Sequence, residues 1–403
     1  MSASTRARIA LVIVAVAAGV LAATAAAHTD RTTAKKPIVI GAVVDLTKNM
    51  APFDAPALLA AQLEIKAINK RGGVDGRKFK LVYLNDQLDA TKTKQFAVQM
   101  LQKHVDIGWV TCDVNYAAPA AQQFLNAHKL TVAPCLGTDE LSPLRFGAKG
   151  KLAFSFGNVA QDEGAAAAEY AYKVKGWHSA VVVTDNLLRY FQDVCKAFTV
   201  RFTQLGGKIV AQEAFTQGDN TISNVVSRVN NEKSDVIAFC TSFGADQPAF
   251  VSGLRSLHNN TPIINGWASD GNYWWTKSPE VTNFYYLTYA SVYGDDPSPK
   301  VRAFEAQMKA AGHPAQTGGF IGGAAAIDGI AYAVAKAGGS TNGTKLANIM
   351  VKFHKVLTLS GLVSFSPQLH TVFGRSYRVI EIENNHAQFV KLITASSPAN
   401  IGR

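Results

Sequence analysis

The chain has 403 residues, 48% of them hydrophobic and 17% charged, with a formal net charge of +11. That length suggests roughly two or three domains, and the apolar content excludes a mainly disordered chain. A single uncharged apolar run approaches membrane-spanning length, at 9–27, which excludes a polytopic membrane protein.

The run at 9–27 follows Arg6 and Arg8 and ends in Ala25-Ala26-Ala27. A basic start, an apolar core and small residues at the end read as a secretory signal over 1–27, followed by a short tail at 28–36. An uncleaved anchor helix is the alternative. Basic residues elsewhere, such as Lys66, Lys70, Arg71, Arg77 and Lys78, are scattered rather than blocked, so the positive charge reads as solvated surface and not as a nucleic-acid interface.

From Pro37 onward apolar strands alternate with amphipathic helices. IVIGAVV at 38–44 reads as a buried parallel strand, and 57–69 places Leu58, Ala61, Ile65 and Ile68 on one helical face. Gly72-Gly73 ends that helix, because glycine enters the left-handed C-cap conformation without steric cost. Strands at 79–84, 107–111 and 130–133 alternate with helices at 91–103 and 116–128. The pattern restarts after 152–157: helix 164–175, strand 180–184, helix 190–205, Gly206-Gly207, strand 208–214, then 220–230, 236–239, 245–257 and 262–265. Two doubly wound α/β halves of similar build are expected. The last third, with a strand at 284–290, helices at 299–311, 320–337 and 345–354, and short strands at 362–365, 377–383 and 388–393, is too small and mixed for its own domain. It is expected to cover the first sheet, with its last strands joining the second.

Cys112, Cys135, Cys195 and Cys240 lie far apart without a C-x-x-C pair, which argues against zinc. In an exported chain they allow two disulfides or four buried thiols. No G-x-G-x-x-G, P-loop, H-E-x-x-H or G-x-S-x-G occurs. The nine histidines are isolated, and Asp295-Asp296 before Pro297 reads as a helix cap. Nothing nominates a nucleophile, a base and an orienting group together, so a non-enzymatic protein with neither cofactor nor metal is expected.

The stretch AINKRGGVDGRKFKLVYLNDQLDATKTKQFAVQMLQK resembles the signature of periplasmic solute-binding proteins of the leucine/isoleucine/valine type. IVIGAVV before it, VAPCLGTDELSP after it and LGGKIVAQEAF in the second half are similar to further family elements. The resemblance covers 37–393 and implies the type I periplasmic-binding fold: two parallel-sheet lobes joined by a three-crossing hinge, with the ligand in the cleft between them. Lobe 1 is expected to comprise 37–154 and 288–360, lobe 2 to comprise 155–287 and 361–393, and 394–403 to form a tail. The crossings are expected near 154–157, 287–290 and 361–364.

Carried onto this chain, the resemblance nominates Phe53, Thr111, Cys112, Asn115 and Tyr116 in the first lobe, with Cys135, Leu136, Gly137 and Thr138 in the adjoining loop. In the second lobe it nominates Tyr190, Phe243, Asp246, Trp267 and Asp270, the last as the acid facing a ligand ammonium. The chain departs from amino-acid binders where they offer small hydroxyl residues. It has Cys112, Asp113, Val114 and Asn115 there, and an ionised Asp113 opposes a ligand carboxylate. A branched-chain amino acid is therefore one ligand among several: an aromatic or other apolar metabolite fits the aromatic walls as well, and amides and short peptides stay open. Cys112 and Cys135 end strands expected to be neighbours, so Cys112–Cys135 and Cys195–Cys240 are the first-choice disulfides, each within one lobe. The implied protein is an exported, monomeric receptor in the periplasm or cell envelope, delivering a small molecule to the membrane permease of an ABC importer. The alternatives are a sensory receptor of the same fold and an enzyme using the cleft.

Overall fold

A computed structural model describes residues 35–242 and 244–402. The expected signal at 1–27, the residues to 34 and Phe243 lie outside the described residues. Among the described residues no helix is long and apolar enough to cross a membrane.

The first half runs β1 (Ile38–Val44), α1 (Ala51–Lys70), β2 (Phe79–Asn85), α2 (Ala90–Gln102), β3 (Ile107–Val110), α3 (Val114–Asn126), β4 (Leu130–Ala133), α4 (Pro143–Phe146) and β5 (Ala153–Asn158). The second runs α5 (Ala160–Glu169), β6 (Ser179–Asp185), α6 (Arg189–Gln204), β7 (Lys208–Phe215), α7 (Ile222–Asn231), β8 (Val236–Cys240), α8 (Asp246–Ser256), β9 (Ile263–Asn265) and β10 (Phe284–Thr288). The remainder supplies α9 (Pro299–Ala310), α10 (Phe320–Lys336), α11 (Gly343–Met350), β11 (Val356–Thr358), β12 (Gly361–Val363), β13 (Thr371–Val372), β14 (Tyr377–Glu383) and β15 (His386–Ile393).

Two sheets result. The first has the order β13-β5-β4-β3-β1-β2 and the second β15-β14-β10-β9-β8-β6-β7. Pairing is parallel from β2 through β13 and from β7 through β10, whereas β14 and β15 add antiparallel strands at one edge of the second sheet. β1 sits centrally in the first sheet, with Ile40 registered against Leu81 on one side and Ile107 on the other. Strands buried on both faces tolerate an unbroken apolar run, which is why IVIGAVV lacks the alternation of a half-exposed strand. α10 returns from the last third to pack on α1, as expected, and β14 and β15 complete the second sheet.

The expected boundaries differ from the observed sheet membership in two places. β5 remains in the first sheet to Asn158, so the chain leaves that sheet after 158 rather than at 154. The segment expected to cross near 361–364 stays with the first half. Gly361, at φ +103°, turns the chain between β11 and β12, a conformation glycine adopts freely, and Val363, Phe365 and Val372 join the first core. His370 then stacks on Phe154 at 4.4 Å and β13 pairs with β5. The third passage is therefore 373–376, between β13 and β14. A glycine near the expected crossing has the same sequence signature whether it serves a hinge or a hairpin.

Arg375 ties the passages together from a buried position. Its guanidinium donates to the Phe156 carbonyl at 2.9 Å, to Asn158 Oδ1 at 2.7 Å and to the Ser360 hydroxyl at 2.5 Å, and lies 5.2 Å from the Tyr289 ring centre.

Candidate functional site

The carboxyl ends of the parallel strands carry the loops that build a cavity between the two sheets. Its own side chains nearly fill it: about 40 Å³ is left for a water-sized occupant, within about 490 Å³ of empty space that includes the open mouth, so a solute enters only as the walls part. Asn49, Met50 and Phe53 reach it from the start of α1, Cys112, Asp113 and Tyr116 from the β3–α3 turn, and Gly137 from the loop after β4. Leu187, Leu188, Tyr190 and Phe191 come from the β6–α6 turn, Gln217 from beyond β7, Ser242 from beyond β8, and Trp267 and Ala268 from beyond β9.

Aromatic contacts span the cavity. Phe53 meets Trp267 edge-on with ring centres 4.7 Å apart, and Trp267 also lies 6.3 Å from Tyr190 and 5.1 Å from Tyr289. Edge-to-face rings at these separations attract one another through their quadrupoles. Tyr190 is packed against the other side as well: a Cβ on Gly137 would stand 2.6 Å from its ring. Glycine at 137 is what lets the loop after β4 approach that ring.

Buried acids frame the walls. Glu163, on the alanine-rich α5, accepts the Trp267 backbone N–H at 2.6 Å and the Tyr190 hydroxyl at 2.8 Å. Burial pushes its carboxyl up to about 8 against those two stabilising bonds. Asp54 accepts the Thr111 hydroxyl at 2.5 Å and the N–H groups of Cys112 and Asp45, and burial raises it to about 7. Asp113 has a non-helical backbone at the N-cap of α3 and accepts the Asn115 N–H at 2.8 Å. Burial raises it to about 6, opposed by the Asn115 and Tyr116 N–H groups and by Arg145.

Both expected disulfides are present. Cys112–Cys135 joins the ends of β3 and β4 with Cα atoms 4.9 Å apart, and Cys195–Cys240 joins α6 to β8 at 5.7 Å. Asp54 lies near the first pair, but two sulfurs bonded to each other offer no thiolate to a metal ion.

Of the residues nominated from sequence, Phe53, Cys112, Tyr116, Gly137, Tyr190 and Trp267 come together at the cavity. The others serve its frame. Thr111 bonds Asp54, Cys135 is spent in the disulfide, the Leu136 carbonyl accepts the Ser155 hydroxyl, and the Thr138 carbonyl accepts the Thr371 hydroxyl. Asn115 meets Arg145 at 3.4 Å on the exposed side, and Asp246 accepts the Gly218 N–H at 2.6 Å. Asp270, expected to face a ligand ammonium, does not line the cavity. It accepts the Thr288 hydroxyl and the Gly318 N–H at 2.5 Å, so it fastens the second passage instead.

Sequence reasoning passed over Leu187 and Leu188, although they precede Tyr190 in the same turn, and Asn49 and Met50, which follow β1. Glu163 had no local signal, because it lies in a helix and acts through residues 27 and 104 positions away.

Residues 37–387 match the model of a family described as periplasmic binding protein. A Leu/Ile/Val-binding protein, BraC3, from Rhizobium johnstonii is 24% identical over 334 residues, 81% of this chain and 87% of its own length. Among solved structures, the branched-chain amino acid substrate-binding protein LivJ of Streptococcus pneumoniae, in complex with isoleucine, superposes with a TM-score of 0.75 at 18% identity, covering 89% of this chain and 99% of that one. A solute-binding protein of an ABC transporter from Rhodopseudomonas palustris, in complex with 3,4-dihydroxybenzoic acid, gives 0.74 at 17% identity, over 91% and 99%. At these identities the two structures attest a shared fold.

Proposed function

The chain belongs to the periplasmic binding protein family, and from that premise we propose that it captures a small solute between its two lobes and delivers it to the permease of an ABC importer. The solute is an amino acid or related molecule, or an aromatic or apolar metabolite. The observation that carries this reading is the cavity beyond the strand ends, walled by Phe53 and Tyr116 from one lobe and by Tyr190 and Trp267 from the other. A solute touching both walls binds the closed arrangement better than the open one and shifts the hinge toward it. Ligand binding at the strand ends of open α/β sheets supports the same placement. The protein acts without turnover, as a monomer outside the cytoplasm, after cleavage of the segment 1–27.

Mass spectrometry of the solute that co-purifies, followed by thermal-shift screening, tests the proposal. A ligand at about a hundredfold its dissociation constant stabilises by ~2.7 kcal/mol. Chemical conversion of the bound solute by the purified protein would overturn the non-enzymatic reading.

A further inference from the structure

Resting on that reading of the cavity, we propose that the solute is an organic cation: an ammonium group on an apolar or aromatic body, without a carboxylate, held by Asp113.

The N-terminus of a helix ordinarily offers its free N–H groups and positive dipole end to an anion. In α3 two of those donors are already taken by the chain itself, since the Asp113 carboxylate accepts the N–H of Asn115 at 2.8 Å and that of Tyr116. A ligand carboxylate arriving at this wall of the cavity meets a like charge beside the donors that remain.

The lining holds neutral polar groups, Asn49, Ser242 and Gln217, whose buried Nε2 has no partner among the described residues, but no positive charge that offsets that repulsion. Among the described residues that line the cavity there is no lysine or arginine. Arg145, whose charge acts on Asp113, is paired with Glu140 at 2.8 Å. Asp45 and Asp185 act on Tyr116 together with Asp113, so the field at this wall is negative although the chain as a whole is basic. The N–H groups of Asn115 and Tyr116 and the positive end of α3 favour the carboxylate form of Asp113, against burial, which raises it to about 6.

The rest of the cavity suits the body of such a cation. Phe53, Tyr116, Tyr190 and Trp267 present rings to it, and aromatic faces attract ammonium groups through their quadrupoles. The buried Trp267 Nε1–H has no hydrogen-bond partner among the described residues, which leaves a donor for a hydroxyl or carbonyl on the ligand body. A zwitterionic amino acid would satisfy Asp113 with its ammonium but bring a carboxylate that the wall does not accommodate. The matching bare amine has no such group.

The test is calorimetric titration of the full chain, freed of co-purified solute, with isopentylamine and phenethylamine beside leucine, isocaproate and phenylpropanoate. The amines are expected to bind about ten- to a hundredfold tighter than the carboxylates of matching body, the range of a charge-assisted contact. Asp113→Asn keeps an N-cap acceptor while removing the charge. It is expected to lose most of that preference while melting no lower than the wild type at neutral pH, since it also removes a buried charge, with Asp113→Ser as a second capped variant showing the same loss of preference. If the wild type prefers the carboxylates, in binding abolished by Trp267→Ala, the cation assignment falls while the solute-binding reading stands. If no probe binds, and the co-purified solute binds equally well to a folded Trp267→Ala, both fall.

Discussion

Tyr190 shows how one side chain serves both the frame and the wall of the cavity. Its hydroxyl is anchored on Glu163 and its ring lies against Gly137 across the cleft. Tyr190→Ala is expected to weaken solute binding about ten- to a hundredfold, the equivalent of the roughly 1.5–3 kcal/mol gained by burying a large side chain. Tyr190→Phe keeps the ring and costs far less; calorimetric titration beside melting curves separates the two variants. Glu163 adds a pH dependence. Burial holds its folded-state pKa at about 8, above the 4.5 of a free glutamate. A raised acid of this kind contributes stability that is fully present below about pH 4.5 and is lost as pH rises through about 8. Glu163→Gln can still accept from Trp267 and Tyr190 but carries no charge. It is therefore expected to melt at a similar temperature to the wild type near pH 5 and above it at pH 8 and beyond, in melts taken across that range.

At the scale of elements, the disulfides and Arg375 hold the loops and passages that frame the cavity. Cys112–Cys135 closes a span of 23 residues between the ends of β3 and β4, the same two turns that contribute Cys112, Tyr116 and Gly137 to the cavity. Replacing both cysteines by serine is expected to lower stability by about 2–4 kcal/mol in denaturant melts, chiefly by freeing the unfolded chain. Arg375 satisfies acceptors at Phe156 and Asn158 from the third passage. Arg375→Ala would strand those buried acceptors and is expected to cost about 2–5 kcal/mol in the same measurement. Glycine recurs at close approaches: Gly137→Ala would set a methyl group against the Tyr190 ring. It is expected to weaken binding while leaving helix and strand content unchanged by circular dichroism.

For the whole molecule, the contact of Phe53 with Trp267 joins the two sides of the cleft directly. Scattering profiles are expected to show a smaller radius of gyration with saturating solute than without it, at constant secondary structure. An unchanged radius would count against hinge closure. The alternation of strand and helix was legible from local pattern alone, because a strand buried on both faces must be an unbroken apolar run and a helix on a sheet must carry one apolar face. The cavity was legible in part, since Phe53, Tyr116, Tyr190 and Trp267 all follow strands, where loops of this architecture converge. Asp270 and Glu163 mark where that reasoning stopped. Both are buried acids, and nothing local separates one that bonds Thr288 and Gly318 from one that braces Trp267 and Tyr190. The third passage, too, was decided by Val363, Phe365 and Val372 joining the first core rather than by the glycine at 361. Periodicity and turn chemistry act between neighbours in sequence, so the chain alone determined its elements and their order. Which acid meets which donor, and where the chain changes sheets, depends on contacts between residues far apart in sequence, and only the tertiary structure decided those.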